Sequence, residues 1–159
     1  MHTFKDNADH LWSVSINVAA IKRVRGLLNL DLLKLLDGGF EKLGDLVGNP
    51  IDLVDLLYCL CVEEAGVHGV TDEGFGRAMA GDALQAAADA FLAEYADFFP
   101  DARRRAAIRK VIDAGKTMAE RLIDHVTAQL AQIDPEAEAR KWIASSGSWP
   151  ASSESIPDH

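Results

Sequence analysis

The residues best equipped for chemistry are Cys59, Cys61 and His68. Two thiols and an imidazole can ligate zinc. Their spacing argues against that role. Cys-x-Cys on a helix points its sulfurs at different faces, and no fourth ligand accompanies them, whereas structural zinc is closed by four. The thiols therefore read as reduced, core-packed side chains, which suits a cytoplasmic location. His125 stands beside Asp124 and the apolar stripe within a long helical stretch, a setting for a partly buried or surface histidine rather than a general base. Asp52 and Asp55 could share a cation, but acidic residues near a helix start already answer to the helix dipole. The chain has no glycine-rich phosphate loop with its lysine, no nucleophile elbow and no His-Glu-x-x-His pair. Gly74-Phe75-Gly76 and the following GRAMAG lack the preceding strand a dinucleotide site requires. The expectation is a non-enzyme with no catalytic residue, no metal and no cofactor.

What elements carry these residues? In LWSVSINVAAIKRVR, residues 11–25, apolar side chains first fall on every second position: Trp12, Val14, Ile16 and Val18. They then fall at helical spacing, at Val18, Ile21 and Val24. Alternation predicts a strand, and the change of period predicts a helix capped by Asn17. With Thr3–Lys5 and the Asp6-Asn7-Ala8-Asp9 turn, this makes a β-hairpin with Phe4, Trp12, Val14 and Ile16 on its buried face. A lone hairpin is marginal in water, so it must pack on helices or extend a partner's sheet. The first helix is expected over Val18–Arg25, with Gly26 loosening or ending it. A short apolar helix follows over Asp31–Leu36, closed by Gly38-Gly39, and then an amphipathic piece over Phe40–Val47. Asn49-Pro50 is a cap followed by a first helical residue. It opens a helix to Val62 whose inward positions read as Ile51, Val54, Leu57, Tyr58 and Cys61. Glu63–Val70 reads as a loop. Thr71 caps the next helix, Gly81 breaks it, and Asp82 caps a continuation to Phe99.

Pro100 ends that run, and Asp101 caps a helix from Ala102 to about Ile133. Its stripe is Ile108, Val111, Ile112, Met118, Leu122, Val126, Leu130 and Ile133. Asp134-Pro135 opens a last short helix, and SSGSWPASSESIPDH reads as a flexible tail. The fold class is mainly α: a small N-terminal β-hairpin followed by a helical bundle with a long C-terminal helix. The organisation is one helical domain over 1–145 (hairpin 1–18, helical core 18–100, basic long helix and short terminal helix 101–145) and a tail over 146–159.

The net charge is −9. From Asp45 to Asp97 there are eleven acidic residues and one basic residue, Arg77. From Asp101 to Arg121 there are seven basic residues against three acidic ones. An acidic body repels phosphate over most of its surface, so nucleic acid is not the expected partner. No apolar run reaches the roughly 18–20 residues needed to span a bilayer, and MHTFKDNADH has no basic-then-apolar leader pattern. No membrane is expected.

Phe4 with the turn DNADH, LWSVSINVAAIKRVR, DLLKLL, NPIDLVDLLYCLC and GVTDEGFGRAMAGDALQAAADAFLAEYADFFP together resemble the tail assembly chaperones of long-tailed bacteriophages and prophages. The shared features are an opening hairpin, an x-A-I-K-R-V helix, an N-P-x-x-L-x-x-x-L helix and T-x-E-x-F opening a helix. A small-acidic dipeptide, here Gly81-Asp82, completes the set. The resemblance covers roughly residues 3–100. It implies a non-catalytic protein of the bacterial cytoplasm that coats the tape-measure protein. The tail-tube protein is a second implied partner, and self-association into a homo-oligomer is expected. A docking groove is then expected from Trp12, Leu32, Leu33, Leu36, Val54, Leu57, Phe75 and Phe98, with Leu35, Leu60 and Phe91 as neighbours. For each of these the plain alternative is the protein's own core. Two other function classes stay open: a structural head–tail or tail adaptor protein built into the particle, and a small enzyme whose site is not visible.

Overall fold

A computed structural model describes residues 1–145. The expected tail at 146–159 lies outside the described residues. The chain divides into two compact units, Met1–Asp113 and Ala114 onward, where the sequence suggested one helical domain over 1–145.

The first unit opens with β1, His2–Lys5, antiparallel to β2, Leu11–Val14, in a register that sets Phe4 opposite Trp12. The turn between them uses Asp9 in the left-handed region, at φ 68°, which Asp tolerates because its short side chain can bond locally. Phe4, Trp12, Val14 and Ile16 are all buried, as the alternation predicts. The hairpin packs on helices rather than standing free: β1 lies along α5 (Asp82–Phe98) and β2 along α3 (Pro50–His68). Its backbone is also satisfied from within, because Ser13 N donates to Glu64 Oε2 at 2.8 Å and Ile16 N donates to Glu94 Oε1 at 3.3 Å.

Helix α1 spans Val18–Leu28, and the Asn17 side chain accepts from Ala20 N as its cap. The helix runs through Gly26 and ends at Asn29, which takes the left-handed conformation at φ 52°. One glycine costs a helix interior only about 1 kcal/mol, less than burial of Ile21 and Val24 returns. The expected apolar helix at 31–36 is a single 3-10 turn, Leu32–Lys34, capped by Asp31. Tyr95 Oη donates to the Leu32 carbonyl at 2.9 Å and pins that turn to the core.

Helix α2 covers Glu41–Gly48 and α3 covers Pro50–His68. The expected loop at 63–70 is mostly helix: α3 continues through Gly66, and Gly69 ends it at φ +67° with its N–H on the Ala65 and Gly66 carbonyls. The buried face of α3 also differs. Leu53, Leu56, Leu57, Leu60, Cys61 and Ala65 are buried, whereas Ile51 is 70 % exposed. A nearly all-apolar helix gives no clear phase, and here it is covered on more than one side by the hairpin, α1 and α5. Helix α4, Asp72–Ala78, is capped by Thr71; α5, Asp82–Phe98, has Gly81 at its cap position with no side-chain cap bond, and Asp82, expected as the cap, is instead its first helical residue. The core centres on Trp12, Phe75, Phe91, Tyr95, Leu56 and Leu57, with the Trp12 and Phe75 rings edge-to-face at 4.9 Å.

Helix α6 runs Ala102–Ala131, with Asp101 accepting from Arg104 N at its start, and α7 runs Pro135–Ser145. In the first unit, α6 buries Ile108 in the core, and Arg105 Nη1 donates to the Phe99 carbonyl at 2.8 Å. In the second unit no residue from Ala114 to Ser145 is buried. Among the described residues no helix is long and apolar enough to cross a membrane.

Candidate protein-docking surfaces

The chemistry-bearing residues do not assemble a reactive centre. Cys59 and Cys61 are free and buried. Burial, with Glu64 adding its charge, pushes the Cys61 thiol up to about 12. Burial and then Asp55 raise Cys59 as well. Neither thiol is primed as a nucleophile, which works as thiolate. The His68 ring lies 5.5 Å from that of His10 and 5.5 Å from that of Trp12. Among the described residues no group of three His, Cys, Asp or Glu could hold a metal ion.

The sequence missed Asp6 as anything beyond a turn residue. Its side chain is sealed, and it accepts four bonds. Ala8 N at 2.8 Å and His10 N at 2.9 Å reach Oδ1, while Trp12 Nε1 at 2.8 Å and His10 Nδ1 at 3.1 Å reach Oδ2. Burial alone would raise this carboxyl. The bonds from Trp12, His10 and Ala8 outweigh burial and hold it below the ordinary 3.8. The work of Asp6 is structural: it locks the turn and the indole that plugs the core.

The groove expected from sequence is largely consumed by the fold. Trp12, Leu32, Leu57 and Phe75 are each 0 % exposed. The hairpin and the 3-10 turn close over the faces those residues would have offered, so they have no surface for a partner. Leu36, Val54 and Phe98 are half-buried against the same core, and Leu33 alone is exposed, at 43 %.

Two other surfaces take their place. The first is an open cleft of about 610 Å³ where the end of α1, the 3-10 turn, α2 and the start of α3 meet. Leu28, Leu30, Leu35 and Leu46 line it together with Asp31, Asp45, Asp52 and Asp55, the two lysines Lys34 and Lys42, and Asn29 and Asn49. Asp31 is committed to Arg25 at 2.8 Å, and Asp52 receives Asn49 Nδ2 at 2.7 Å. Burial first, then the charges of Asp72 and Asp52, raise the Asp55 carboxyl.

The second surface belongs to the second unit. Met118, Leu122, Ile123, Val126, Leu130 and Ile133 are all between 46 % and 66 % exposed. They share one side of α6 and its closing turn at helical spacing. Trp142 and Ile143 on α7 are exposed too. The sequence contains this stripe in full, but periodicity marks it as a packed face, and only Ile108 is buried as expected. Burying a leucine-class side chain fully is worth about 1.5–3 kcal/mol, so six half-exposed ones hold several kcal/mol in reserve for an opposing apolar surface.

No protein-family model, no curated protein and no solved structure matches this chain.

Proposed function

We propose that this protein is a non-catalytic tail assembly chaperone of a long-tailed bacteriophage or prophage, working in the cytoplasm of the bacterial host. Its client is the tape-measure protein, which it keeps soluble until tail-tube subunits enclose it. The observation that carries the reading is the exposed stripe of Met118, Leu122, Ile123, Val126, Leu130 and Ile133, in a stretch where no residue from Ala114 to Ser145 is buried. Such a face suits an opposing amphipathic helix, and a tape-measure protein is a long rod of them. The motif resemblance over residues 3–100 supports the same reading independently of the stripe.

The physics is that of a reversible cover. A long amphipathic rod aggregates through its apolar face. Many chaperone copies, each bound modestly, shield the rod by multivalency and still come off when tube subunits compete. The acidic body of each copy then keeps the coated rod in solution, since like-charged particles repel.

The test is co-expression with the tape-measure protein encoded alongside. With the native chain, most of the tape-measure protein is expected in the soluble fraction, and the chaperone is expected to be absent from mature particles. With L122E/V126E the client is expected in the pellet. Fixed-copy incorporation into particles would instead mark a structural adaptor and overturn the proposal.

A further inference from the structure

His68 is the imidazole left over once the thiols are buried, and the fold gives it a neighbour that its place in the sequence does not suggest. His10 stands where the hairpin turn enters β2, and His68 is the last residue of α3. Their ring centres lie 5.5 Å apart, with the planes tilted by 45°. Metal–nitrogen bonds of about 2.0–2.1 Å at a tetrahedral angle put two imidazoles on one ion with ring centres about 5 Å apart. The pair is therefore spaced for a shared ion. Both rings reach solvent: His68 is exposed, and the His10 side chain is 33 % exposed.

Asp6 sets the tautomer of His10. Three N–H groups already point at that carboxylate, from the Ala8 and His10 backbone and the Trp12 indole, and an ionised carboxylate only accepts. His10 Nδ1, 3.1 Å from Asp6 Oδ2, is then the donor, and Nε2 keeps its lone pair. A carboxylate behind an imidazole in this way orients metal-ligating histidines and makes them more basic. Among the described residues, neither His10 Nε2 nor the His68 ring makes a hydrogen bond. Two imidazoles do not close a site, and no third His, Cys, Asp or Glu completes a cluster among the described residues. The remaining positions fall to water, so the ion is held openly. Imidazole suits zinc, nickel and copper rather than magnesium or calcium, and a net charge of −9 favours the approach of a cation.

We infer that His10 and His68 together bind a divalent transition-metal ion of the zinc and nickel class, with Asp6 as the positioning carboxylate behind His10. The ion staples the hairpin turn to the end of α3, two segments far apart in the sequence, beside the buried indole of Trp12. It needs neither a client nor a second copy, so it stands apart from the chaperone reading.

The experiment uses the untagged full chain carrying W142F/W149F, which leaves Trp12 as its one tryptophan. Trp12 lies 5.7 Å from the His10 ring and 5.5 Å from the His68 ring, so Ni²⁺, an open-shell ion, is expected to quench its emission saturably. Zn²⁺, whose d shell is closed, is expected to compete and restore it. H68F and H10F each keep a ring but have no nitrogen to ligate. Each is expected to weaken Ni²⁺ binding by about tenfold or more, at least the loss that removal of an outer-shell partner brings. H68F breaks no hydrogen bond, so its urea transition is expected to stay in place, and H125A is expected to leave Ni²⁺ binding unchanged. Zn²⁺ is also expected to raise the melting temperature of the native chain and not that of H68F. No saturable quenching up to about 1 mM Ni²⁺, the weak end of specific affinity, would overturn the inference. So would binding that H68F and H10F leave unchanged. Client solubilisation in the co-expression assay reads the chaperone role separately.

Discussion

Asp6 shows how a single carboxylate ties a turn to a core. It is reached only by groups within six residues of it, yet one of them is the indole that fills the centre of the first unit. Asp6→Ala leaves Trp12 Nε1 buried without an acceptor, and urea unfolding should show a loss of about 2–3 kcal/mol. Asp6→Asn keeps one acceptor oxygen and should cost less. The pH dependence has a fixed sign. Because the folded carboxyl lies below 3.8, its contribution is complete above that value and is lost as pH falls through the lower folded value. Acid titration of Asp6→Asn should therefore be flatter than that of the native chain below pH 3.8. Phe75 offers a check on packing: it touches Phe4, Trp12 and Tyr58, and Phe75→Ala should cost about 3–5 kcal/mol in the same assay. The sequence marks Asp6 as turn chemistry but says nothing of Trp12 as its donor. That bond depends on the register of the hairpin, which no local pattern states.

Among the elements, helix starts were the legible part. Asn17, Asn49, Thr71 and Asp101 each cap the helix that follows, because capping is settled within three residues and needs no tertiary partner. Helix ends and faces were not. Gly26 and Gly66 look like breakers, but both lie inside helices, and the left-handed ends fall at Asn29 and Gly69. Gly66→Ala should stabilise the protein by about 0.5–1 kcal/mol, since the new methyl meets nothing within 4 Å. Gly69→Ala should destabilise it by about 1–2 kcal/mol, because an L-residue there must hold a left-handed backbone. Thermal melts of the pair, opposite in sign, check where α3 ends. The face of α6 was misplaced for a different reason. An amphipathic stripe shows that a helix wants a partner, and it does not show whether the partner belongs to the same chain. The docking residues chosen from sequence suffered the converse error: Trp12, Leu32, Leu57 and Phe75 were greasy enough to bind something, and what they bind is each other's neighbourhood in the core.

At the scale of the whole molecule, the fold class was readable because hydrophobic period alone separates a hairpin from helices. The division after Asp113 was not, since it falls within one continuous helix and leaves no mark in composition. The first unit holds a core of aromatic and leucine side chains, and the described residues of the second, 114–145, include exposed apolar side chains and no buried one. On the proposed reading, stability resides in the first unit and client binding in the second. Substitutions along the α6 stripe should therefore change what the chain holds without moving the unfolding of residues 1–113. The most direct measurement is hydrogen exchange over residues 118–133, with and without the tape-measure protein. If the proposed function holds, exchange there slows by about tenfold or more when the client is added, as expected when an exposed helix face gains a packed partner. Tape-measure protein that binds while exchange over 118–133 stays unchanged would contradict it.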